Sequence, residues 1–175
     1  MRNIIAMVLA SGVLLLTGSC RKVNEATQFN LSYSTTLAVP AASIIVSTTQ
    51  DFVSDEIETG TADKFKNENT SQDLIDEVTM TEFKMAADSG NLDYLKSIAI
   101  YVRGTGLQDQ LVAQKTNIPA GQTTINLDMT GANIKEHLFK PAIRYRATIT
   151  FNATVTKNQH LKMDQTFLVK GKQLK

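Results

Sequence analysis

The chain has no tryptophan, one cysteine, two histidines and three prolines in 175 residues, and each shortage removes a class of explanation. A single cysteine allows no intramolecular disulfide, so the stability of any folded part has to come from a core. With aromatics at only 6%, the flat apolar platforms on which carbohydrate sites commonly stack sugar rings are scarce. An excess of one charge is also missing. Of the 18 Lys and Arg residues one, Arg2, precedes Cys20, which leaves 17 against 17 acidic residues, so no net field draws the chain to nucleic acid. There is no Gly-x-Ser-x-Gly elbow, no Walker phosphate loop and no Gly-x-Gly-x-x-Gly fingerprint after a strand. Gly104 and Gly106 come nearest to the last of these, but the third glycine is missing and both read as turn residues.

No apolar run is long enough to cross a bilayer. The longest, Ile4 to Leu16, is interrupted by Ser11 and Gly12 and stops at Thr17, Gly18 and Ser19, short of the roughly 20 apolar residues that a spanning helix needs. With Arg2 in front and small residues behind, it has the layout of an export signal. The residues Leu16-Thr17-Gly18-Ser19-Cys20 resemble the lipobox of bacterial lipoproteins in its relaxed form, with Thr17 in the usual aliphatic place. The resemblance covers residues 1 to 20 and implies cleavage before Cys20, whose thiol would carry diacylglycerol. Each buried CH₂ of such a lipid contributes roughly 0.8 kcal/mol, enough over several acyl chains for durable attachment. With Arg21 and Lys22, and no aspartate, after the cysteine, the resemblance favours the outer membrane and its periplasmic face over surface display.

The expected organisation is therefore a signal peptide over 1–19, a lipidated tether over 20–27 and one domain over 28–175. With 42% hydrophobic residues, no repeat and no Pro/Gly-rich linker, one core is the economical reading. Periodicity sets its class. From Ile143 to Val155 the odd positions are apolar or aromatic and the even ones polar, and Leu161, Met163, Gln165, Phe167 and Val169 repeat the pattern. Joined by the polar segment Thr156 to His160, the two read as a hairpin. Further strands are expected at Leu31 to Val39, Ser43 to Thr48, Val78 to Ala87 and Ile125 to Met129, with a Gly-turned hairpin of Lys96 to Arg103 and Leu111 to Lys115. Short helical turns are expected at Ser71 to Glu77, where Thr70 and Asp73 suit a capping box, and at Ala132 to Phe139, with Ile134 and Leu138 on one side. The sum is an all-β antiparallel sandwich, immunoglobulin-like in architecture, with one or two short helices; a barrel is the alternative.

Candidate chemistry is sparse. His137 beside Glu136 and His160 lack His-Glu-x-x-His spacing, and on a strand His160 and Asp164 would stand about 13 Å apart, too far to share a metal. Surface or capping roles are expected for both, with no metal and no cofactor. Asp51, Asp55, Glu56, Glu58 and Asp63 around Gly60 do not follow the EF-hand order and read as a solvated loop that keeps a sandwich edge from pairing. Met80, Met85, Met129 and Met163 read as core filler. The sharpest hypothesis comes from the final hairpin: if Val155 faces Leu161, then Arg146 faces Lys170 and Arg144 faces Lys172. Like charges directly opposite are unfavourable, so these four residues form a candidate anion-binding site for an envelope lipid or an acidic partner.

The function these readings favour is a non-catalytic, lipid-anchored envelope module that binds a protein, glycan or lipid. Three alternatives stay open at this point. One is a carrier or sensor with a small apolar ligand between its sheets, one a surface adhesin or fimbrial component, and one a hydrolase with strand-borne carboxylates.

Overall fold

The computed structural model describes residues 28–41 and 47–172. Cys20, the signal, the tether and most of the strand expected at Ser43 to Thr48 lie outside the described residues. Two antiparallel sheets pack face to face, as the alternation requires. One has the order β1(Gln28–Val39), β10(Gln159–Gly171), β4(Ile75–Ala87), β7(Thr124–Asn126). The other runs β2(Thr49–Val53), β9(Ala142–Phe151), β5(Leu95–Gly104), β6(Gln110–Thr116), β8(Asp128–Met129), with β3(Ile57–Glu58) also on β9. Two short helices, α1(Thr61–Asn67) and α2(Lys135–Leu138), and a 3₁₀ turn, Gln72–Leu74, complete the set. The β-sandwich with short helices is the expected fold class.

Each central strand buries one stripe. On β9 these are Ile143, Tyr145, Ala147, Ile149 and Phe151; on β10, Leu161, Met163, Gln165, Phe167 and Val169. The expected hairpin between them does not form. β9 pairs laterally with β2, β3 and β5, whereas β10 pairs with β1 and β4. The connection 152–158 crosses from one sheet to the other and buries Val155 on the way. Alternation shows which face of a strand goes inward, and two inward faces satisfy each other across the core as well as side by side.

Aromatic rings fill the space between the sheets. Phe83 meets Tyr145 edge-on at 5.5 Å and Phe151 stacks on Tyr94. Phe29, Phe65 of α1 and Phe139 form an edge-on series along one side. There the sheets are stitched together: Asp55 N–H donates to Thr36 C=O, and the Tyr33 hydroxyl donates to Thr59 C=O at 2.7 Å. On the other side the run expected as one strand, Ile125 to Met129, splits at buried Leu127 into β7 on one sheet and β8 on the other.

Local signals fared unevenly. The Gly-turned hairpin is β5–β6, with Gly106 at φ 76°, a left-handed conformation that favours glycine. The helical turn expected over Ser71 to Glu77 shortens to the 3₁₀ turn because β4 already begins at Ile75, and its cap residue Ser71 makes no side-chain capping bond to the turn's backbone. α2 carries Ile134 and Leu138 on its buried side as expected. The acidic stretch is not a loop held clear of the sheet: β2 and β3 are themselves the sheet edge, and α1 follows. Its acids nevertheless face water, while Ser54, Ile57, Thr59 and Thr61 turn inward.

Two substitutions separate packing from polarity. Phe167→Ala is expected to destabilise by about 3–5 kcal/mol through an unfilled cavity. Tyr145→Phe is expected to cost nothing or to stabilise by up to about 1 kcal/mol, since the fully buried hydroxyl has no hydrogen-bond partner among the described residues. Denaturant titration of both variants against the parent chain checks the contrast.

Candidate functional site

The outward face of the six-stranded sheet carries the densest side-chain chemistry described. Because Ile100 and Val102 point inward on β5, Tyr101 and Arg103 point out; likewise Arg144, Arg146 and Thr148 are the outward residues of β9. The register sets Tyr101 opposite Arg146 and Arg103 opposite Arg144. A bulge then adds the acids. Val53 pairs with Arg146 and Ile57 with Ile143, so four steps along the edge match three along β9. The irregular stretch between β2 and β3 holds on to β9 through Ser54, whose hydroxyl accepts from Tyr145 N–H and donates to Asp55 C=O. The extra residue brings Glu56 alongside Arg144, whose Nη2 it accepts at 3.2 Å.

Asp109, in the turn before β6, ties two arginines together. Its Oδ1 accepts from Arg103 Nε at 3.0 Å and its Oδ2 from Arg146 Nε at 2.7 Å. Arg146 also donates to Asp51 Oδ2 at 3.3 Å and to Thr148 Oγ1 at 2.8 Å, and Thr148 donates onward to Asp51. The Arg146 guanidinium lies 4.1 Å over the Tyr101 ring, a cation–π contact that also fixes its plane. Burial pushes the Asp109 carboxyl up, but the hydrogen bonds and charges of Arg146 and Arg103 outweigh it and hold its pKa below the usual carboxylate range. The Asp109 hydrogen bond raises the Arg146 pKa in turn.

Beside this network opens a cleft of about 440 Å³ lined by Glu56, Arg103, Thr105, Pro141 and Arg144 among others. Arg103 and Arg144 meet across the β5–β9 ladder, and each turns to its own acid instead of to the other. Their side chains are 47% and 50% exposed, so both guanidiniums reach water at the cleft. Such exposed ion pairs contribute only about 0–1 kcal/mol each. An incoming carboxylate or phosphate can therefore exchange with Glu56 at small cost and bind in the two-pronged way guanidinium favours.

The four cations expected to face each other are not brought together. Arg144 and Arg146 lie on the face just described, while Lys170 sits on the other sheet opposite Glu77, to which it donates at 2.8 Å. Lys172 donates to the Asp73 carbonyl. Arg103, Asp109 and the role of Glu56 were not foreseen from the sequence; the hairpin glycines located the strand of Arg103, but not that β5 runs beside β9. His137, expected in a surface or capping role, is buried, and its Nε2 bonds the Gln108 carbonyl at 3.0 Å, pinning α2 to the β5–β6 turn. His160 is exposed at the start of β10. Met80, Met85 and Met163 are core residues, and Met129 packs against the core.

No family model matches the chain, and no curated protein matches it significantly. Among solved structures, one from Desmodium yellow mottle tymovirus aligns at 8% identity and a TM-score of 0.31, over 99% of this chain and 98% of that one.

The low Asp109 pKa makes the network pH-sensitive in one direction. A carboxyl whose folded pKa lies below its unfolded one adds stability above the ordinary carboxylate pKa of about 3.9 and loses it as pH falls through the folded value. Asp109→Asn should thus lower the melting temperature at neutral pH by the equivalent of about 1 kcal/mol, and the gap to the parent chain should close in acid. Melting curves of both chains from pH 7 down to about pH 3 check this.

Proposed function

We propose that this chain is a lipid-anchored cell-envelope protein that works as a non-catalytic binding module at the periplasmic face of the outer membrane. Its working surface is the outward face of the six-stranded sheet, and what it takes there is an acidic group, a carboxylate or phosphate carried by an envelope protein, glycan or lipid. The observation that carries this reading is the pair Arg103 and Arg144, opposite each other in the ladder and both half exposed at one cleft. The anchor rests on the lipobox-like residues ending at Cys20.

The surrounding chemistry favours binding over turnover. Asp51 and Asp109 converge on Arg146, and Asp109 is held in its charged form. A carboxylate so paired is a poor proton donor at neutral pH, where hydrolysis of a glycoside wants one with a raised pKa. The inter-sheet space is occupied by Phe83, Tyr145, Phe151, Phe167 and their neighbours, which supports a packed core over a ligand-lined one.

Crosslinking of the full-length chain in intact envelopes, followed by mass spectrometry, tests the reading. The parent chain should capture an acidic partner, and Arg103→Glu with Arg144→Glu should reduce that capture roughly tenfold or more. Cys20→Ala should release the chain from the membrane fraction and abolish acyl labelling. Unchanged capture by the charge-reversed chain would remove the cleft from the proposal, and an unlabelled, membrane-free parent chain would remove the anchor.

A further inference from the structure

Sheet edges expose rows of unpaired main-chain donors and acceptors, and proteins normally blunt them with charge, proline or brevity. Four of the edge strands here obey that rule, three of them by charge, with Asp51 in β2, Glu58 in β3 and Asp128 in β8. β7 is only three residues long. β1 breaks it. Its 12 residues, Gln-Phe-Asn-Leu-Ser-Tyr-Ser-Thr-Thr-Leu-Ala-Val, contain no charge and no proline, and among the described residues it pairs on one side only, with β10.

The direction of the free groups follows from one hydrogen bond. Thr36 C=O accepts from Asp55 N–H, away from β10, and the β1–β10 register is unbroken. In an antiparallel ladder a residue's N–H and C=O point the same way and neighbours alternate, so Asn30, Ser32 and Ser34 also aim outward. Among the described residues no backbone group meets them there. Their side chains are exposed, and the stretch Gln28–Ser34 is open where Thr36 is closed.

We propose that this stretch is a self-association edge, at which two copies pair antiparallel about a two-fold axis near Leu31 and join their four-stranded sheets into one continuous sheet. The neutrality of β1 selects a second copy as the occupant. Two-fold pairing sets residues at equal distances from the axis against each other, so a charge near the axis would face its own kind. β1 has none to oppose, and Asn30 of one copy meets Ser32 of the other with small polar side chains on the outer face. A partner of different sequence would gain from charge here, whereas self-pairing gains from its absence. The proposal stands apart from the arginine cleft, which lies on the other sheet.

Thiol crosslinking of the full chain in cells tests it. Ser32→Cys should yield a crosslinked dimer with a short bis-maleimide, while the parent chain and Asn126→Cys, on the opposite edge of the same sheet, should not. Adding Asn30→Pro removes an N–H that points to solvent and not to β10, so the monomer should keep its fold and melting temperature. The dimer yield should then fall roughly tenfold or more. Absence of the Ser32→Cys dimer, equal crosslinking at Asn126→Cys, or a dimer that survives Asn30→Pro in a folded chain would each overturn the proposal.

Discussion

Burial of two apolar stripes against each other, one on β9 and one on β10, is the constraint on which the rest of the structure depends. Both strands are interior to their sheets, so each is held on two sides by main-chain bonds and on a third by the opposing stripe. With each fully buried side chain contributing roughly 1.5–3 kcal/mol and no disulfide to help, the chain has little freedom to move either strand. Tyr145 and Gln165 are the polar intrusions in these stripes, and each leaves an oxygen without a partner. Around them Phe83 meets the Tyr145 ring edge-on from the opposite sheet, and Phe167 meets Tyr33, the β1 partner of Gln165.

That constraint also explains what the sequence made legible and what it hid. Period-two alternation in Ile143 to Phe151 and Leu161 to Val169 revealed both strands, their inward residues and the sandwich class. It could not reveal lateral partners, because an apolar stripe is satisfied equally by a neighbour beside it or a sheet opposite it. The hairpin reading, and with it the pairing of Arg144 and Arg146 with Lys170 and Lys172, failed at that step. Two of the four residues do lie on the candidate face, because outward orientation follows from alternation alone. Arg103, Asp109 and Glu56 were hidden because they depend on the β5–β9 register and on a one-residue bulge after Val53, neither of which leaves a periodic trace.

The bulge deserves weight in its own right, since an edge strand without it would continue in step with β9. The additional residue ends β2, lets Ser54 turn inward to bond the Tyr145 amide, and carries Glu56 to Arg144. One irregularity thus couples a core strand to the exposed cleft. The acids of this edge serve two physical purposes at once: they neutralise arginines that would otherwise repel across the ladder, and they discourage another strand from pairing there.

The two sheets therefore differ in how they meet the surroundings. The six-stranded sheet has its edges charged or shortened and its outer face laid with guanidinium and carboxylate groups, which act through side chains and depend on ionic strength. The four-stranded sheet also carries ion pairs on its outer face, Lys162 with Asp164 and Lys170 with Glu77, but among the described residues its β1 edge is long and neutral, with peptide N–H and C=O as its free groups. Main-chain pairing along an uncharged strand depends little on salt, and because β1 brings no charge to the two-fold axis it suits a contact whose partner is fixed by symmetry. Side-chain recognition on the other sheet suits a partner chosen by charge. The two surfaces lie on different sheets and share no residue, yet the Asp55 N–H bond to Thr36 C=O joins the β1 strand to the segment that carries Glu56.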